Sequence, residues 1–476
     1  MFSVFDAQTA GSRPQVSRRE LLRVGGLSLL GLSSLDLARL RAEQPATTDP
    51  AAPPVNACIF VFLFGGPSQI DLWDMKPDAP VEVRGEFQPR PTSVPGIQLC
   101  EHLPRLAQQM DKFCLLRSME HRMPVHGPAC SEMYSGRPYF GPPVTDQARP
   151  EDWPSLASLA MEFAPRRGAL PPAVVLPWYT QFTGQDKRIA GQTGGRMGET
   201  KDPFLVQGDP SADGFQVEGI QLSDDVPAER VRRRRALLRE LEASLPNTLH
   251  GAPTVDLFAH HAELAFSMLG DLRANEAFRI DREPGTVRQR YGDTKFGQSL
   301  LLARRLVEAG VSMVTVNYDD ESRAEKVSPF WDTHNHNFAS LKKRLAPHFD
   351  LSFSALLEDL AERGLLETTL VVATGEFGRT PKIGQFTQNA MTEKSGRDHW
   401  PHAFTVLLAG GGVRGGQAYG ATNRIGAFVK DRPVSPADLS STILDQLGVD
   451  STQQYWDEFQ QMRRKLSTGQ PIAGLG

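Results

Sequence analysis

Asp332, His334 and His336 stand within five residues of one another in the run Trp331-Asp332-Thr333-His334-Asn335-His336-Asn337. Imidazole nitrogen and carboxylate oxygen at this density are the donors a divalent cation needs. Four other stretches carry similar types. Gly396-Arg397-Asp398-His399-Trp400-Pro401-His402 holds a carboxylate beside an imidazole, with Arg397 one residue earlier. Gly375-Glu376-Phe377-Gly378-Arg379 pairs a carboxylate with an arginine, and Gly65-Gly66-Pro67-Ser68-Gln69-Ile70-Asp71-Leu72-Trp73-Asp74 carries two aspartates. His121, His126 and Ser131 make the last group. Six of the eleven histidines (121, 126, 334, 336, 399 and 402) fall in these stretches. Arg379 and Arg397 suit an oxyanion substrate, because a guanidinium matches phosphate or sulfate geometry.

The elements that must bring these groups together are legible as short apolar runs at 58–64, 113–117, 173–176, 311–316, 369–374 and 404–408. Most lack polar–apolar alternation, which is the pattern of strands buried on both faces in a parallel sheet. Helical periodicity separates them at 227–244, 255–272, 295–309, 338–363 and 436–447. Ser435 reads as an N-cap, with Pro436 at the first helical position and Asp438 in the first turn. Pro347 should kink or divide the 338–363 helix. Alternating strands and helices give a doubly wound α/β fold, whose ligands bind at the carboxyl ends of the strands. The chemistry-bearing stretches follow strands, except 396–402, which precedes one.

Each group also has a purely structural reading. The 332–337 run could cap a following helix through Asn335 or Asn337. Glu376 could pair with Arg379, Asp398 with Arg397, and Asp71 could cap a helix, with Asp74 its rival as a ligand. His260 and His261 are neighbours on a helix and point to different faces. The glycines at 410–412 and 415–416 do not make a GxGxxG, so no dinucleotide loop is implied.

The chain has 476 residues, 52 basic and 56 acidic, for a net charge of −4. That balance gives no electrostatic case for nucleic acid as a partner. The four cysteines form no CxxC pair, and Cys58 and Cys114 lie in apolar runs as small core residues. Residues 1–42 read as a twin-arginine signal: Arg18-Arg19 precede a mildly apolar, Gly- and Ser-rich stretch at 24–32. A Pro/Ala/Thr linker follows at 43–54, then one domain at 55–450 and a tail at 451–476. The expected place is periplasmic or extracellular, membrane-anchored if the signal stays uncleaved, with the twin-arginine translocation machinery as a partner.

The stretches FLFGGPSQIDLWDMKPDAP, RQRYGDTKFGQSLLLARRLVEAGV, WDTHNHNF, GEFGRTPKI and GRDHWPHAFTVLLAGGGVRGGQAYG resemble the family of domain of unknown function 1501 over most of residues 55–450. That family resembles the alkaline phosphatase and sulfatase superfamily, whose members hydrolyse phosphate or sulfate esters with one or two metal ions. The resemblance implies a central, mostly parallel sheet flanked by helices, with metals at the strand ends. It implies a small-molecule or polysaccharide ester as substrate and one or two divalent ions (Zn, Ca, Mg or Mn) as cofactor. An inactive ligand-binding or surface-associated protein on the same fold is the alternative.

Carried over by position, Asp71 is the carboxylate after the first strand. Asp332 and His336 have the Asp-x-x-x-His spacing of one superfamily metal site, while His334 matches the domain family's own Asp-Thr-His. Glu376 stands where the superfamily usually has Asp followed by His, and Phe377 removes that second ligand. His399, preceded by Asp398, resembles the late metal-binding histidine. Ser135-Gly136-Arg137-Pro138 resembles the Thr-Gly-Arg ending of the sulfatase nucleophile helix. Ten residues before Gly136, the expected Cys, Ser or Thr is His126, and Cys130 takes the place of the Arg. This departs from a formylglycine sulfatase and leaves His126 as metal ligand, nucleophile or general acid/base. Ser68 and Ser131 are other hydroxyl sources, and a metal-activated water needs no protein nucleophile.

The export signal is testable. Replacing Arg18 and Arg19 together by lysine should leave the chain in the cytoplasm on cell fractionation; undiminished export would count against the twin-arginine reading.

Overall fold

The structure is a computed structural model that describes residues 55–141, 148–182, 188–217, 220, 228–244, 253–320, 322, 329–387 and 393–476. The signal segment and linker expected at 1–54 lie outside the described residues. The described residues from Val55 to Gly476 form one compact unit.

Eight strands make the central sheet: β1 (Ala57–Phe62), β2 (Phe113–Met119), β3 (Ala173–Leu176), β4 (Phe204–Leu205), β5 (Met313–Asn317), β6 (Thr369–Thr374), β7 (Phe404–Ala409) and β8 (Gln417–Tyr419). Their order is β8-β2-β7-β6-β1-β5-β3-β4. Every residue of β1, β3, β5, β6 and β7 is buried, which explains their uninterrupted apolar runs. Pairing is parallel through β6-β1-β5-β3-β4 and between β8 and β2, whereas β7 runs antiparallel to both its neighbours. β7 therefore meets the carboxyl edge of the sheet with its beginning, which is why the 396–402 stretch precedes a strand.

The main helices are α1 (His126–Ser135), α2 (Leu156–Phe163), α3 (Ala228–Ser244), α4 (Pro253–Leu269), α5 (Lys295–Glu308), α6 (Ala346–Glu362) and α7 (Pro436–Gln446). A helix at Asn337–Ser340 runs through a π-turn at Leu341–Leu345 into α6. Pro347 has no N–H for the carbonyl of Lys343, and the widened turn spans that residue, so the helix is rephased there. α7 starts with a capping box: Ser435 Oγ accepts from Asp438 N, and Asp438 Oδ2 accepts from Ser435 N at 2.9 Å. The arginines of α3 at 232–234 are exposed and form short-range ion pairs, with Arg232 and Arg233 both on Glu229. Residues 454–465 form a hairpin, Gln454–Asp457 with Met462–Lys465, that buries Tyr455. All four cysteines are unpaired and buried. No described helix is long and apolar enough to cross a membrane.

Ser435→Ala removes one half of the α7 capping box and should cost about 1 kcal/mol in urea denaturation. No change in the midpoint would mean the cap contributes nothing.

Candidate metal centre

Five chain segments deliver the site to one edge of the sheet. The turn after β1 carries Gly65, the loop after β2 leads to His126 at the start of α1, and the turn after β6 carries Glu376. The 330–336 loop carries Asp332 and His334, and the strand His399–Trp400 precedes β7. Gly65 has φ +115°, and a Cβ there would lie 2.3 Å from Asp332 N. Only glycine lets the β1 turn approach the aspartate loop this closely. That loop opens and closes on non-glycine residues in the left-handed region, Phe330 at φ 51° and His336 at φ 48°. Such strain gathers at functional loops whose surroundings over-determine them.

His126, Asp332, His334 and His399 each offer a ligand atom, and these atoms lie within 4.8 Å of one another. His334 Nε2 is 2.9 Å from His399 Nε2, and the two stand 2.9 and 3.2 Å from Asp332 Oδ1. His399 Nδ1 lies 2.7 Å from Pro124 O, which can only accept, so Nδ1 holds the proton and Nε2 keeps its lone pair. Burial first, and then the charge of His126, pushes His399 down to about 3 and keeps it neutral. His334 Nδ1 lies 3.6 Å from Asp398 Oδ1, a carboxylate behind the ring. Lone-pair atoms drawn this close ask for a shared proton or a cation, and two imidazoles with one carboxylate are a donor set of divalent sites that keep an open position. The residues therefore fit a single divalent ion held by Asp332, His334 and His399, with Asp398 and Pro124 O orienting the rings from behind.

His126 stands on the more open side. Its side chain is 12% exposed and that of Asp332 14%, against 2% for His334 and 7% for His399. His126 Nε2 lies 3.2 Å from Asp332 Oδ2, and Nδ1 lies 2.5 Å from Glu376 Oε1. Burial opposes its protonation, but the Asp332 and Glu376 charges outweigh burial and raise it to about 9. Asp332 is held well below the usual carboxylate range: burial opposes ionisation, and the charges of His126, Arg379 and His334 overcome it. Phe64, Phe377 and Phe182 face the His126 ring at 5.2, 5.1 and 6.2 Å between centroids, and Phe377 stacks on His399 at 4.4 Å.

The other expected residues stand outside this cluster, each for a visible reason. His336 is exposed on the far side of the loop, as the residue preceding the Asn337–Ser340 helix. Asp71 is fully buried and accepts from Ser68 Oγ, Asn337 Nδ2 and, at 2.8 Å on each oxygen, Arg397. Arg397 spends its five N–H groups on Asp71 and on the carbonyls of Val83, Thr380 and Pro381, which leaves none for a substrate. Arg379 is fully buried too, donating to Asp332 Oδ1 and to the carbonyls of Gly65, Gly66 and Arg397. Glu376 turns its oxygens to Gly65 N and to His126. Asp398 accepts from the backbone of His399 and Thr387. Asp74 pairs with Lys76 and accepts from Thr422. Ser68 Oγ is taken up by Asp71, and Ser131 packs against Gly191. Sequence reasoning missed the phenyl wall and Pro124 O. Phe377 was visible only as an absent ligand, and a carbonyl leaves no trace in residue type.

The fold and site define a mostly parallel α/β domain with an imidazole–carboxylate cluster at the sheet's carboxyl edge. Residues 55–475 match the family described as "Protein of unknown function (DUF1501)", and the chain belongs to that family. No protein of curated function matches it. Solved structures resemble the chain only at long distance. The PsFucS1 sulfatase from Pseudoalteromonas sp. is 12% identical, with TM-score 0.37 over 91% of this chain and 72% of that one. Ps i-CgsB is 12% identical, with TM-score 0.37 over 83% and 72%. The phosphonate monoester hydrolase SpPMH from Silicibacter pomeroyi is 10% identical, with TM-score 0.32 over 82% and 73%. Likeness this distant says nothing of chemistry.

His334→Ala or His399→Ala should abolish stoichiometric metal in elemental analysis of the dialysed protein, whereas His336→Ala should leave it intact. Metal loss in His336→Ala alone would reverse the assignment of the loop.

Proposed function

We propose that this protein is an exported, metal-dependent hydrolase of phosphate or sulfate esters. The observation that carries the metal is the convergence of His334 Nε2, His399 Nε2 and Asp332 Oδ1. The ester class follows from the resemblance of the motifs to the phosphatase and sulfatase superfamily. A divalent ion held there supplies Lewis acidity toward an ester oxygen and acidifies water. The chain's own residues do the rest. Asp332 and the two imidazoles fix the ion. His126, at the open side, carries a proton at Nε2 to or from the reacting oxygen. Phe64, Phe182 and Phe377 keep bulk water from the His126 ring and so strengthen its interaction with charge. Arg379 and Arg397 hold the loops in register and do not bind the substrate. Ser68 Oγ is engaged by Asp71, and Ser131 is buried against Gly191, which favours water as the attacking group.

One observation favours a second reading, a ligand-binding protein without turnover. Arg379 donates to Asp332 Oδ1, and His126 bridges Asp332 and Glu376, so the carboxylates are neutralised by the chain itself.

The two readings part in one experiment. The protein loaded with Zn, Mn, Mg or Ca is assayed on p-nitrophenyl phosphate, bis-p-nitrophenyl phosphate and p-nitrophenyl sulfate, with and without EDTA. Hydrolysis of at least one, lost with EDTA and lost in His334→Ala, is the expected outcome. Stoichiometric metal with no turnover on any ester would support the binding reading, and absence of metal would end both metal assignments.

A further inference from the structure

We infer that Glu376 is a positioning residue for His126 and not a metal ligand: it fixes Nδ1 as the protonated nitrogen and aims Nε2 at Asp332. Only the kinetic part of its test rests on the ester-hydrolase reading.

Three observations meet at this residue. First, Glu376 is fully buried, and among the described residues its one ion-pair partner is His126. A buried carboxylate needs hydrogen-bond donors to stay ionised. It has Gly65 N at 3.0 and 3.1 Å from its two oxygens and His126 Nδ1 at 2.5 Å from Oε1. Second, the same residue anchors the loop that leads to His126. Its backbone carbonyl accepts from His121 Nε2 at 2.5 Å, while His121 Nδ1 accepts from Met123 N at 3.0 Å. Burial pushes His121 down to about 4, so it acts as a neutral strut. Side chain and carbonyl of one residue thus hold both ends of the 121–126 segment. Third, the His126 ring is wedged between Phe64 and Phe377, with His399 edge-on at 4.3 Å. A half-turn of that ring would set carbon against Glu376 and against Asp332 and forfeit both contacts. With Nδ1–H given to Glu376, the nitrogen left to exchange a proton is Nε2, 3.2 Å from Asp332 Oδ2. A carboxylate behind a working imidazole sets its tautomer and orientation in this way.

The test uses the full chain, zinc-loaded and labelled with 15N-histidine, with His126 assigned through His126→Gln. In the unsubstituted protein, His126 should show a proton-bearing Nδ1 with a far-downfield proton. Glu376→Gln keeps an acceptor for Gly65 N but sets an amide donor near Nδ1–H. It should keep one zinc per chain, lose that downfield proton, and lower kcat about a hundredfold on whichever ester is turned over, with KM little changed. Glu376→Asp keeps the carboxylate and should recover the downfield signal and part of the rate. Zinc loss in a folded Glu376→Gln variant would make Glu376 a ligand and overturn the inference, as would an unchanged His126 spectrum. If Glu376→Gln does not fold, the unsubstituted protein and Glu376→Asp decide, and an unprotonated Nδ1 in both overturns it. If no ester is turned over at all, the hydrolase reading fails, while the spectral and zinc results still judge Glu376.

Discussion

The ion pair between Asp71 and Arg397 is the constraint on which the site depends. Both side chains are fully buried, and a buried pair is tolerable only when every donor and lone pair finds a partner. Arg397 meets that demand with all five N–H groups, and its partners come from the short helix at Gln69–Leu72, the short helix at Val81–Arg84 and the turn at 380–381. Removing either partner strands a charge and costs on the order of 3–5 kcal/mol. Asp71 also accepts from Asn337, whose Oδ1 accepts from Thr333, and Arg397 N donates to Thr333 O. His334 is the next residue after Thr333, and His399 stands two residues beyond Arg397. The pair thus fixes the spacing of two imidazoles without touching either.

The sheet sets what that pair can reach. β1, β5 and β6 run parallel and bring Gly65, the 330–336 loop and Glu376 to the same edge. β2 is antiparallel to β7 and so shares the direction of β6, which brings the loop before His126 to that edge as well. β7 enters there, and His399 arrives from its amino end. A sheet with no reversed strand would have put His399 at the opposite edge. The one antiparallel strand is therefore a condition for the cluster.

Much of the fold was legible because its elements are dictated locally. Uninterrupted apolar runs marked the buried strands to within about two residues, and Ser435-Pro436 with Asp438 announced the start of α7. Direction was not legible, since an apolar run reads the same in a parallel or an antiparallel strand. The site was legible in its inventory of residue types but not in its division of labour. Asp71, Arg379 and Arg397 have the right types at strand ends, yet contacts with distant backbone carbonyls decide what each does, and carbonyls carry no sequence signal. His334 and His336 differ by two residues, yet His334 is buried in the cluster while His336, in a left-handed turn, is exposed. Glu376 was equally hidden, because its partner lies 250 residues away.

Asp332 is the point where these forces compete. Its Oδ1 faces two imidazole nitrogens and also the guanidinium of Arg379. Arg379 is held in place by the carbonyls of Gly65, Gly66 and Arg397 whatever Asp332 does. A cation entering the cluster therefore meets a fixed positive charge on the same oxygen of its own carboxylate, and like charges at low dielectric repel strongly. The negative charge that offsets Arg379 comes from outside the ligand set. Asp398 lies behind His334 and Glu376 behind His126, each placed so that its charge reaches the cluster through an imidazole. The carboxylates that do not touch the open position are thus as necessary to it as the one that does.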